Sequence, residues 1–73
     1  MRIFDCGLLR WYRRRNKIFL ADAAAFIGRH PMSLSYYENG KSDIRMKDFT
    51  SLCRLYNVEP KSFFVEKAGE KNG

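Results

Sequence analysis

The sequence predicts an all-α fold, a single domain of five short helices, on three observations. Apolar residues recur at helical spacing, most clearly Phe49, Leu52, Cys53 and Tyr56 at i, i+3, i+4, i+7. Gly28 and Asn57 stand where left-handed residues would end helices. No segment alternates with the period of two that a strand needs.

Taken in order, Asp5 is placed to cap a first helix running to about Arg15. Cys6, Leu9 and Tyr12 share one side of it, with Arg10, Arg14 and Arg15 towards solvent. Phe4, Leu8 and Trp11 form a second apolar line, read as extra core or cover for the C-terminal helix or, if exposed, as a dimer or partner surface. Asn16-Lys17 make the turn into a second helix, about Leu20 to Ile27, with Ala23, Ala24 and Ile27 inward and Gly28 after it. Its alanines are small enough for another helix to cross closely. Pro31 suits the first turn of a third helix, where its missing N–H costs nothing. That helix points Leu34 and Tyr37 to the core and ends at Asn39-Gly40. Gly28 to Gly40 therefore outline a helix-turn-helix, whose second helix is presented to the DNA major groove. A basic loop, Lys41 to Arg45, leads to a fourth helix from Met46 to Tyr56, and Pro60 opens a short fifth one with Phe63 and Phe64. Residues 1–66 read as the domain and 67–73 as a flexible tail.

The 73 residues suffice for one core, and an apolar share of 45% with 15% aromatic weighs against disorder. The net charge of +6 points to an anionic partner, most often nucleic acid, against the alternative of a merely soluble basic surface. Cys6 and Cys53 form no CxxC, and lone His30 builds no metal site with them. Both cysteines are expected as thiols in a reducing cytoplasm. With no signal-like run and no membrane-length apolar segment, the expectation is a cytoplasmic protein without a membrane partner. There is no Gly-rich phosphate loop and no Cys–His or Ser–His arrangement. The prediction is therefore no enzyme, no cofactor and no small-molecule substrate.

Leu9, Tyr12 and Arg13, then Ala24, Ile27 and Gly28, then Leu34, Glu38, Asn39 and Gly40, form a set in register with the helices. Leu52-Cys53, Asn57-Val58, Pro60 and Phe63 continue it. From about Leu9 to Phe64 the chain resembles the phage-repressor and Cro-like (XRE-type) helix-turn-helix family. The resemblance implies a five-helix lambda-repressor-like bundle that binds double-stranded operator DNA through its third helix, usually as a homodimer. It also implies that Arg13 pairs with Glu38, tying the first helix to the end of the third.

On that resemblance Met32, Ser33, Ser35 and Tyr36 face the bases, and Asn39, Lys41, Ser42 and Arg45 face backbone phosphates. Met32 can meet a thymine methyl, and the hydroxyls can donate to base edges or phosphate. Phe19 occupies a helix-capping site and Leu20 a place where a Gln often meets phosphate; neither can do that chemistry. No Arg or Gln offers a bidentate base contact, so weak sequence discrimination is expected.

Two functions follow. The first is a phage-type transcriptional regulator in a lysis–lysogeny-like switch. The second is an antirepressor that covers the DNA-binding domain of a partner repressor with Phe19, Leu20, Pro31, Met32 and Tyr36, a charge-poor aromatic and Met patch composed like an interface centre. Charge supports the first, because a basic chain meeting a basic repressor face suffers repulsion. The side chains of the patch support the second.

Overall fold

In the computed structural model, which describes residues 1–66, the chain runs β1 (Arg2–Phe4), α1 (Gly7–Arg15), α2 (Leu20–Phe26), α3 (Pro31–Glu38) and α4 (Met46–Tyr56). A 3-10 turn (Pro60–Phe63) and β2 (Phe64–Glu66) follow. The expected tail, 67–73, lies outside the described residues.

Two expectations need correction. The fifth helix is a four-residue 3-10 turn, and the fold is not strictly all-α. β1 and β2 pair antiparallel with Arg2 opposite Glu66, Ile3 opposite Val65 and Phe4 opposite Phe64. Three residues are too few to show a period of two, and the partners lie at opposite ends of the sequence. What joins them is aromatic packing: Phe4 meets Phe49 edge-on at 5.5 Å and Phe64 at 5.6 Å, and stacks on Phe63 at 6.2 Å. The Asp5 amide also donates to the Phe63 carbonyl (2.8 Å), bonding the chain next to β1 to the end of the 3-10 turn.

The helices begin and end for local reasons. The Asp5 carboxylate accepts from the Gly7 amide (3.0 Å) and its carbonyl from Leu8 (3.1 Å), so Asp5 supports the start of α1 while Cys6, one residue later than expected, holds the N-cap position. Phe19 opens α2 with no side-chain cap. Gly28 (φ +70°) closes the turn after α2, with the Arg29 amide returning to the Ala24 carbonyl at 2.9 Å. Asn57 takes the left-handed conformation after α4.

The core is built from Leu9, Leu34, Leu52, Phe63 and Tyr56, with Phe49 and Cys53 beside them. Ala23 and Ala24 are completely buried, and their small side chains let α2 pack against α3. Phe4, Leu8, Ile18, Leu20, Ile27 and Ile44 pack against this core from its edge. Trp11 is left half-exposed, edge-on to Tyr12 and under the Arg15 guanidinium at 5.2 Å.

Candidate functional site

The presented element is α3. His30 precedes it in extended conformation and its Nδ1 accepts from the Met32 amide (3.0 Å), which satisfies one orphan N–H of the first turn. Pro31 supplies no N–H to satisfy. Leu34, Tyr37 and Glu38 are buried, and their side chains fix which face of α3 is left outside. That face carries Met32, 52% exposed, and Tyr36, 42% exposed, four residues apart. Ser33, Ser35 and Pro31 are half-buried beside them. Lys41, Ser42 and Arg45 are all exposed in the segment that follows.

The C-terminal end of α3 is held from α1. Glu38 accepts from Arg13 Nε (2.7 Å) and Nη2 (3.1 Å), a bidentate pair with both residues buried. Arg13 Nη1 donates in addition to the Ile18 carbonyl (3.0 Å). The hydrogen bonds from Arg13 to Glu38 raise the arginine's pKa above its ordinary value, against the opposing effect of burial. Arg10, expected in solvent, extends the cluster. Its Nε reaches Glu38 Oε1 at 3.4 Å and its Nη2 donates to Asn39 Oδ1 at 2.9 Å. The signal was the spacing: Arg10 and Arg13 stand three apart on one helix, so both reach one carboxylate.

This network gives Asn39 a structural part as well. Its carbonyl accepts from Arg10 and its amide donates to the Ser35 carbonyl (2.8 Å) and Oγ (3.3 Å). Asn39 thus closes α3 while staying exposed, as are Lys41, Ser42 and Arg45. The apolar patch also divides. Leu20 is half-buried against the core, whereas Phe19 is 76% exposed.

A second network was not read from the sequence. Asp48, 1% exposed, accepts from the Tyr37 hydroxyl (2.8 Å) and from Arg29 Nε (2.9 Å) on the same oxygen. Burial raises the Tyr37 pKa, and its hydrogen bond to Asp48 raises it further. The hint lay in α4: Asp48 precedes core Leu52 by one helical repeat, a carboxylate on an inward stripe that needs a buried partner. Arg29 is at the helix-turn-helix turn and Tyr37 on α3, so the carboxylate joins turn, presented helix and α4.

Cys6 is a half-buried free thiol, and Cys53 is a buried one whose pKa burial raises. Among the described residues no helix is long and apolar enough to cross a membrane.

Fold and site together define a helix-turn-helix protein. A sequence profile described as a helix-turn-helix domain matches residues 7–62, and the chain belongs to that family. Among solved structures, the P22 c2 repressor in complex with a synthetic operator is similar at a TM-score of 0.75 and 16% identity, over 84% of this chain and 92% of that one. Hydroxypropylphosphonic acid epoxidase from S. wedmorenis is similar at a TM-score of 0.73 and 18% identity, covering 85% of this chain. This chain spans only 35% of that longer protein. At these identities the likeness is one of fold alone. No curated protein sequence matches the chain.

Proposed function

We propose that this protein is a transcriptional regulator that binds double-stranded operator DNA through α3. The observation that carries the reading is the juxtaposition of an outward α3 face with exposed Lys41, Ser42 and Arg45 directly after it. The first set can enter a groove while the second neutralises phosphates beside it. The net charge of +6 favours the same partner. The family membership and the fold shared with an operator-bound phage repressor support it. On this reading the protein acts in the cytoplasm by binding and not by catalysis, in a phage-type lysis–lysogeny switch. A homodimer would set two copies of α3 about 34 Å apart in successive major grooves.

A second reading rests on Phe19, Met32 and Tyr36, three large apolar or aromatic side chains left exposed near the helix-turn-helix. Here α3 covers a partner repressor's DNA-binding domain, making the protein an antirepressor.

Fluorescence anisotropy with a mixed-sequence duplex pool, measured over a salt series, decides between them. DNA binding predicts salt-sensitive association, weakened in a Lys41→Glu/Arg45→Glu variant, with log K falling less steeply with log salt by about two. Absence of wild-type binding at low salt overturns it. In that event, pull-down of a repressor domain that is lost in Met32→Asp and Tyr36→Asp establishes the second reading.

A further inference from the structure

We propose that Arg29 is a phosphate-binding residue, a preset anchor for one phosphodiester of the duplex backbone alongside α3. The inference rests on the DNA-binding reading and adds to it a contact from the turn between α2 and α3. Three observations carry it. The Arg29 side chain is only 29% exposed, and its Nε is fixed on Asp48 at 2.9 Å. That carboxylate is itself buried and held by the Tyr37 hydroxyl at 2.8 Å, so the direction of the guanidinium is set before any ligand arrives. Neither terminal nitrogen of Arg29 has a hydrogen-bond partner among the described residues.

Arg29 lines a hollow of 240 Å³ whose wall also includes Ser33, Ser42, Arg45 and Asp43. Two serines and two arginines, with Tyr36 and Tyr37, thus border a space beside the presented helix. A guanidinium keeps its charge at any ordinary pH and offers planar paired donors that match two phosphate oxygens. Holding its Nε on a buried carboxylate removes part of the ordering cost of binding. Asp48 neutralises part of the Arg29 charge, and Asp43, which is exposed, opposes an anion in the hollow. The site therefore suits the single charge of a phosphodiester, and Asp43 sets a ceiling on its affinity.

Salt titrations with the mixed-sequence duplex pool test this, using wild type, Arg29→Gln and Asp43→Asn, with folding checked by circular dichroism. If Arg29→Gln folds, the expected result is binding about tenfold weaker and a log–log salt slope smaller by about 0.9, one phosphate's share. An unchanged affinity and slope in that folded variant overturns the proposal. If Arg29→Gln does not fold, Asp43→Asn decides. Removing the opposing charge should tighten binding about threefold with the melting temperature unchanged, and unchanged affinity overturns the proposal. The two claims fail differently. A wild type that binds, and is weakened by Lys41→Glu/Arg45→Glu but not by loss of Arg29, keeps the DNA reading and removes this anchor. A wild type that never binds duplex removes both.

Discussion

Replacing Glu38 by Ala removes the acceptor for two Arg13 hydrogen bonds, at 2.7 and 3.1 Å, and for the longer one from Arg10 at 3.4 Å. The three contacts are not equal. The Arg10 side chain is 41% exposed, so its share falls in the range of surface pairs, below about 1 kcal/mol. Arg13 and Glu38 have side chains 9% and 1% exposed, and breaking a buried pair from one side costs about 3–5 kcal/mol. Most of that cost is the stranded guanidinium, left with only the Ile18 carbonyl. A domain of this size has a total stability of roughly 4–11 kcal/mol, so Glu38→Ala should remove about a quarter of it or more. In a thermal melt followed by circular dichroism, that is a fall in Tm on the order of 12 °C or more. Urea unfolding of wild type, Glu38→Ala, Arg13→Ala and the double variant completes a cycle. The expected coupling is several kcal/mol, because the second substitution removes the charge that the first one strands. An apolar pair, Arg13→Met with Glu38→Leu, should recover most of the loss, since well-packed apolar side chains often replace a buried ion pair without penalty. A Glu38→Ala loss below about 1 kcal/mol with coupling near zero would refute the reasoning, because it would place the pair with ordinary surface ion pairs.

Three further outcomes follow from buried groups and turns. The Tyr56 hydroxyl is buried with no hydrogen-bond partner among the described residues, so Tyr56→Phe should be neutral or stabilising by up to about 1 kcal/mol at pH 7. Burial also raises the folded-state pKa values of Tyr56, Tyr37 and Cys53. The unfolded chain releases those protons near the ordinary values, about 8.5 for Cys and 10 for Tyr, while the folded chain keeps them. Stability must therefore fall as pH rises above about 8.5, and Tyr56→Phe should make the fall shallower above about pH 10. A wild-type Tm that is flat from pH 8 to 10.5, or an equal fall in the variant, would contradict this. Gly28 and Gly40 both have positive φ (+70° and +75°), so an Ala at either costs about 1–2 kcal/mol. Only at Gly40 would the added Cβ meet a neighbour, Cys6 Sγ at 3.2 Å, so Gly40→Ala should lower Tm further, and adding Cys6→Ala should narrow the gap. Equal losses at the two glycines would count against it.

The helical part of the fold was legible because each helix carries its own boundaries. Pro31 at the head of α3, Gly28 and Asn57 in left-handed turns, and the four-residue stripe of α4 are all local signals, and the structure uses each as expected. The strand pair was not legible, since its two partners are short, lie far apart in the sequence and are brought together by Phe4, Phe49, Phe63 and Phe64 once the helices have packed. In the candidate site, the separation of outer from inner residues on α3 could be read from helical spacing. Hydrogen-bond direction could not. Asn39 has the composition of a phosphate contact, and its bonds to Arg10 and Ser35 leave no mark in the order of residues. Arg29 and Asp48 meet across nineteen positions, a pairing that only the crossing of α2, α3 and α4 creates.

Adjacent residues on α3 do different jobs in fixing its orientation. Tyr37 bonds Asp48 of α4, and Glu38 bonds Arg13 of α1, so the helix is tied to two neighbours from two sides. A helix held only by apolar contacts can roll by a fraction of a residue and still bury the same carbon. Directional bonds at 2.7 and 2.8 Å on consecutive positions restrict that roll. The restriction bears on either partner, because Met32 and Tyr36 are displayed at a set angle whether a groove or a protein meets them. It also separates the two kinds of change the site can undergo. Substituting Met32 or Tyr36 alters what is offered with little loss of core, since both are substantially exposed. Substituting Tyr37 or Glu38 disturbs how it is offered. A helix-turn-helix built this way can change its partner through the outer pair while the inner pair keeps the presenting geometry intact.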